Sequence, residues 1–143
     1  MTLTSTKSWK HYMLICRTLE YNDIHHVRDD KSLCVRCRIS GKDFEQHLLF
    51  QVDPTKMLVS LYCALPLAFV KEQTADLALA VCMANNGLPD GSFCIDPQDR
   101  LLYFKMTNSF YETNLNGMLF EYMLSSAADL IDEYYPKFRT ITG

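Results

Sequence analysis

The chain has 143 residues, 48% of them hydrophobic, 12% aromatic and 22% charged, the balance of one ordinary globular domain (1–143) rather than a disordered or fibrous polymer. Its longest uncharged stretch, Met57 to Val70, is 14 residues with Pro66 inside it, short of the ~20 apolar residues a membrane helix needs. A formal net charge of -3 argues against a nucleic-acid binder, which would carry a basic surplus for phosphate contacts.

The first seven residues hold no apolar run behind a basic start, so no secretory signal is read there. A cytoplasmic location is expected, with the six cysteines reduced. From Ser8 to Glu20 the apolar residues Trp9, Tyr12, Met13, Cys16 and Leu19 recur at steps of three and four, which predicts a helix capped by Ser5 or Thr6. Ile24 to Arg28 is a short extended run. Across the turn Asp29-Asp30-Lys31-Ser32, residues Leu33, Val35, Cys37 and Ile39 alternate with Cys34, Arg36 and Arg38, the pattern of a half-buried strand.

Ser40-Gly41-Lys42 turns the chain into Phe44 to Val52, a third strand that Asp53-Pro54 ends. A fourth, Met57 to Ala64, carries Val59, Leu61 and Cys63 on one face and Leu58 and Tyr62 on the other. Being apolar on both faces, it is expected at the centre of a sheet or at an interface. Glu72 to Asn86 returns to helical spacing through Leu77, Val81 and Ala84, with Asn86-Gly87 read as a left-handed close. It is Ala-rich, so it can lie close on a sheet or a second helix.

After the turn Pro89-Asp90-Gly91-Ser92, Phe93 to Asp96 and Leu101 to Met106 flank Asp96-Pro97-Gln98-Asp99-Arg100 as a hairpin. Last, Thr113 to Tyr135 holds a broad apolar stripe from Leu115 to Tyr134, with Thr113 or Asn114 as cap and Pro136 as stop. Gly117 within it costs up to ~1 kcal/mol against Ala, which a close neighbour would explain. Short hairpins enforce antiparallel pairing. The fold class is α+β, an antiparallel sheet with helices in the order helix, three or four strands, helix, two strands, helix.

Chemistry is sparse. Cys34 and Cys37 form a CxxC, but on a strand residues i and i+3 diverge, and no second pair offers zinc-ligand spacing. His25 and His26 diverge for a related reason; His25, His47 and Asp29 or Asp30 meet only if the hairpin brings them together. No GxSxG, Walker, GxGxxG or HExxH motif occurs. The pairs Asp29/Asp30 and Asp132/Glu133 sit at a turn and on an outer helix face, whereas general acid or base work needs a desolvated cleft. The basic residues Arg28, Lys31, Arg36, Arg38 and Lys42 are broken by Asp29 and Asp30 and lack interleaved aromatics. No catalytic residue, metal ligand or cofactor is therefore assigned, and the chain reads as a non-enzyme.

Two strands apolar on both faces exceed what one core face needs, and surplus apolar surface usually meets a partner. Leu58, Tyr62, Leu102 and Phe104 are the candidate self-association or partner residues, with the second helix and the Phe93 to Met106 hairpin as the surface. Charge is polarised too: up to Val70 there are 9 Lys+Arg against 7 Asp+Glu, and beyond it 5 against 10. That fits self-association of a basic surface with an acidic one. The alternative is a small-molecule or metal sensor using Cys34, Cys37, His25 or His47.

The run Val81-Cys82-Met83-Ala84-Asn85-Asn86-Gly87-Leu88-Pro89-Asp90-Gly91-Ser92-Phe93-Cys94-Ile95-Asp96, then Leu101-Leu102-Tyr103-Phe104-Lys105, and finally Asp129-Leu130-Ile131-Asp132-Glu133-Tyr134-Tyr135-Pro136, resembles the YbjN family of small bacterial proteins. There a helix ends in Asn, a G-x-F-x-(Leu/Ile)-D strand follows, a second strand carries an aromatic, and a long final helix ends in a tyrosine-proline pair. The resemblance is best from Glu72 to Phe138. It implies a fold similar to type III secretion chaperones, a role as a sensory-transduction regulator or chaperone-like protein, and a homodimer that holds a protein or peptide. It carries over no catalytic or cofactor residue.

Overall fold

The computed structural model describes residues 3–143, with side chains described from Thr6 onward. Among these residues the order is α1 (Leu3–Tyr21), β1 (His26–Asp29), β2 (Cys34–Ser40), β3 (Glu45–Asp53), β4 (Leu58–Ala64), a 3-10 turn (Lys71–Gln73), α2 (Thr74–Asn86), β5 (Ser92–Asp96), β6 (Leu101–Ser109) and α3 (Gly117–Thr142). The strands form one antiparallel sheet, β1-β2-β3-β4-β6-β5. This is the α+β order read from the sequence, with four strands before α2.

Alternation along each strand sorts the side chains into two faces. One cross-strand row joins Val35, Phe50, Leu61 and Met106; the next joins Cys37, Leu48, Cys63, Phe104 and Phe93. All nine are buried. The helices cover this face: Tyr12, Ile15 and Leu19 from α1, Leu77 and Val81 from α2, and Phe120, Ile131 and Phe138 from α3 complete the core. Phe93 is its aromatic centre, with ring centroids 5.1 Å from Phe104, 5.6 Å from Tyr134 and 5.0 Å from Phe138. The chain from Leu65 to Phe69 extends the pattern outside the ladder, with Leu65, Leu67 and Phe69 buried between exposed Pro66 and Ala68. Met57 to Val70 is thus a central strand followed by a buried strap.

Three of the hairpin loops share one construction that their sequences conceal. In each, an Asp at the strand end accepts backbone N–H bonds from the loop: Asp29 Oδ1 from Ser32 (3.3 Å), Asp53 Oδ1 from Thr55 (3.0 Å) and Lys56 (2.9 Å), and Asp96 Oδ1 from Gln98 (3.0 Å) and Asp99 (3.1 Å). The loop then closes on a left-handed residue, Leu33 (φ 55), Met57 (φ 56) or Arg100 (φ 52). None of these is the Gly or Asn that usually signals that conformation.

Several expected boundaries are corrected. Because α1 starts at Leu3, Ser5 and Thr6 lie inside it and do not cap it. Gly87 closes α2 at φ -103, outside the left-handed region, because its N–H reaches back to the Ala84 carbonyl (3.0 Å) in a tight last turn. The cap of α3 is Asn116, whose Oδ1 accepts from the Leu119 N–H at 2.9 Å, in place of Thr113 or Asn114. Gly117 is therefore the first residue of α3; a Cβ there would lie 3.1 Å from Thr18 Oγ1, the close neighbour its presence suggested. Pro136 does not stop α3, which continues to Thr142 because Phe138 is buried in the core and outweighs the lost backbone bond.

Candidate binding surfaces

The four candidate contact residues separate. Leu102 and Phe104 point to the covered face and are 0% exposed, so they belong to the core and meet no partner. They sit on the strand between β4 and β5, and its other face carries Tyr103 and Lys105. Leu58 and Tyr62 point to the opposite face, where no helix lies, and are half-buried by strand neighbours alone. Across that open face runs the row Val27, Arg36, Leu49, Tyr62, Lys105, Ser92. Val27 is 62% exposed, and the Lys105 ammonium lies 5.9 Å from the Tyr62 ring centroid.

A depression of about 370 Å³ on this face is bordered by His25, Arg36, Arg38, His47 and Leu49. His25 and His47 both border it, one on each side of Arg38, and neither Asp29 nor Asp30 does. Asp30 instead pairs with Arg28 (2.9 Å) and accepts the Tyr12 hydroxyl (2.8 Å), which pins α1 to the first hairpin and holds the Asp30 carboxyl below its ordinary pKa. Asp29 likewise serves its turn. The basic cluster divides with them, Arg28 toward α1 and Arg36 and Arg38 on the open face. Among the described residues no group of three His, Cys, Asp or Glu could hold a metal ion.

Cys34 and Cys37 fall on opposite faces of β2, as strand parity requires. Burial pushes the Cys37 and Cys63 thiols up to about 12, far from the thiolate a nucleophile needs. His11, expected from the sequence as a surface or partly buried histidine in an element apart from His47, is buried. It is 3% exposed on α1, its Nδ1–H donates to the Lys7 carbonyl (2.8 Å), and its Nε2 accepts the Leu115 N–H (3.0 Å). Both ring nitrogens are thereby assigned in the neutral form, with the ring stacked on Phe110 at 4.5 Å. Burial lowers its pKa. The i-4 spacing to Lys7 was visible in the sequence; the partner more than a hundred residues away was not.

The outer side of α2 is the second unusual surface. Leu77, Val81 and Ala84 face inward and are buried, yet Leu79 is 61% and Met83 68% exposed, with Cys82 exposed between them. Asp76 is the single charge in the helix. A helix apolar all round is normally enclosed. The two edges of the sheet also differ. On β5 the Asn85 side chain accepts the Phe93 N–H (2.8 Å) and donates to the Phe93 carbonyl (2.9 Å), occupying that outward backbone pair as a neighbouring strand would. β1 is only four residues long, and among the described residues no side chain pairs with its outward backbone in this way.

No protein family matches the chain by sequence, and no curated protein does. Solved structures do match in fold. A chain of the HopA1-SchA chaperone-effector complex superposes with a TM-score of 0.61 at 13% identity, over 98% of this chain and 99% of that one. YbjN from E. coli, described as a transcription regulator on a provisional basis, superposes with a TM-score of 0.61 at 10% identity, over 88% of this chain and 92% of that one. At such identities the likeness is one of fold. It is the fold that the sequence resemblance implied.

Proposed function

We propose that the chain is a non-enzymatic, cytoplasmic protein-binding module, chaperone-like or regulatory, that works as a homodimer and holds a protein or peptide segment. The observation that carries this is α2: an apolar stripe of Leu79, Cys82 and Met83 on the outside of a helix whose inside is already packed. A stripe of that kind is self-complementary, so two copies related by a two-fold axis bury it isologously. The fold match to a chain from a chaperone-effector complex supports the protein-binding part of the reading. Leu58 and Tyr62 on the open sheet face stand as candidate partner contacts. No helix among the described residues is long and apolar enough to cross a membrane.

Light scattering on the reduced protein tests the dimer. The expected mass is twice the 16.5 kDa chain mass at all concentrations, falling to the chain mass for a Leu79→Lys, Met83→Lys protein. A monomeric parent, or a double variant that stays dimeric, overturns it. Leu102→Asp is no test of association, because it places a carboxylate in the core.

A further inference from the structure

A groove of about 750 Å³ runs between the start of β1, the end of β2 and the outer side of α3. Ile24, Ile39 and Leu124 form its apolar part, with Met118 78% and Tyr122 45% exposed along the rim. Its polar part is unbalanced. The carboxylates of Glu121, Asp129 and Asp132 line it, and no Lys, Arg or His does. From Met106 to Pro136 the sequence contains no basic residue, and among the described residues none of the three acids takes part in a salt bridge.

Four side-chain donors around the groove are engaged within the molecule. Asn22 Nδ2 donates to the Thr18 carbonyl (2.8 Å) and reaches Glu121 only at 3.4 Å. The Tyr122 hydroxyl donates to Asp90 (3.1 Å), and Ser125 Oγ to the Tyr122 carbonyl (3.3 Å). Gln46 Nε2 donates to the Ala128 carbonyl and to Asp132 Oδ1, both at 3.2 Å, while its buried Oε1 has no partner. What remains is a surplus of acceptors around an apolar floor. Such a surface is complementary to a segment that brings apolar side chains together with cationic donors.

We propose that this groove holds a basic amphipathic segment of a partner protein, its apolar side chains on Ile39 and Leu124 and its Lys or Arg side chains against Glu121 and Asp129. The proposal rests on the protein-binding reading above and adds the charge of the partner. An acidic segment meets like charges at the same positions and is rejected.

The test uses two fluorescent peptides of one helical pattern, leucines at i, i+3, i+4 and i+7, with lysine at the remaining positions in one and glutamate in the other. Anisotropy titrations are run against the full chain, a Glu121→Lys, Asp129→Lys variant, and a Lys10→Glu, Arg17→Glu variant altered on α1 away from the groove. The lysine peptide is expected to bind the full chain and the α1 variant alike, and to lose about tenfold in affinity on the groove variant, the order of effect for rim charges. Equal binding to all three proteins overturns the proposal, as does preference for the glutamate peptide; both leave a protein-binding chain with its site elsewhere. Binding of neither peptide also overturns it, while the light-scattering mass reports separately on self-association.

Discussion

At the scale of single residues, His11 shows how one buried side chain ties distant parts of the chain. Its neutral ring joins α1 to the segment between β6 and α3 through the Leu115 N–H. Protonation would turn Nε2 into a donor facing a donor, and the nearby charges that act on it, Lys7 and Lys10, are both cations. Its pKa is lower in the folded chain than its ordinary value of about 6.5, so its contribution to stability is complete above that value and is lost as the pH falls through the lowered one. Chemical denaturation of the parent and of His11→Gln at pH 7.5 and pH 5.5 is expected to show a smaller acid loss in the variant. Equal losses would assign the acid sensitivity to other groups. Arg100 is the second residue-scale case: it is exposed and sits at φ 52. Arg100→Gly is expected to raise stability by up to about 1 kcal/mol by removing the left-handed penalty, read as a higher denaturation midpoint.

At the scale of elements, the strands were legible because one face of the sheet is covered and the other is not. Leu48, Phe50 and Val52 alternate with exposed or half-buried residues along β3 for that reason. The same covered face explains the misassignment of Leu102 and Phe104. A strand with Leu101 and Tyr103 opposite them reads as apolar on both sides, and burial belongs to whichever side the helices take, which no local pattern encodes. Helix ends failed where tertiary contacts decide. The burial of Phe138 carries α3 through Pro136, and Asn116 rather than Thr113 or Asn114 caps it because the chain from Phe110 to Leu115 is held against α1 by His11. Hairpin loops were located correctly by their Asp and Pro residues, yet their left-handed Leu33, Met57 and Arg100 carry no sequence signal at all.

At the scale of the whole molecule, three helices on one face of a six-stranded sheet leave distinct surfaces: a bare sheet face, an apolar helix and an acidic groove. The open-face positions of Leu58 and Tyr62 were within reach of strand parity. The groove was not, since Ile24 and Ile39 meet Leu124 only after folding. The amide of Asn85 on Phe93 has a consequence at this scale. Edge-to-edge stacking of sheets propagates only when every molecule offers two receptive edges, and on β5 the outward Phe93 pair is already occupied from within. A molecule that joined another through β1 would offer a blocked pair at its far edge, which opposes growth into a fibril. Asn85→Ala should lift that limit and appear as thioflavin-positive, seedable aggregates in samples where the parent protein stays clear; a variant as clear as the parent would mean that termination lies elsewhere.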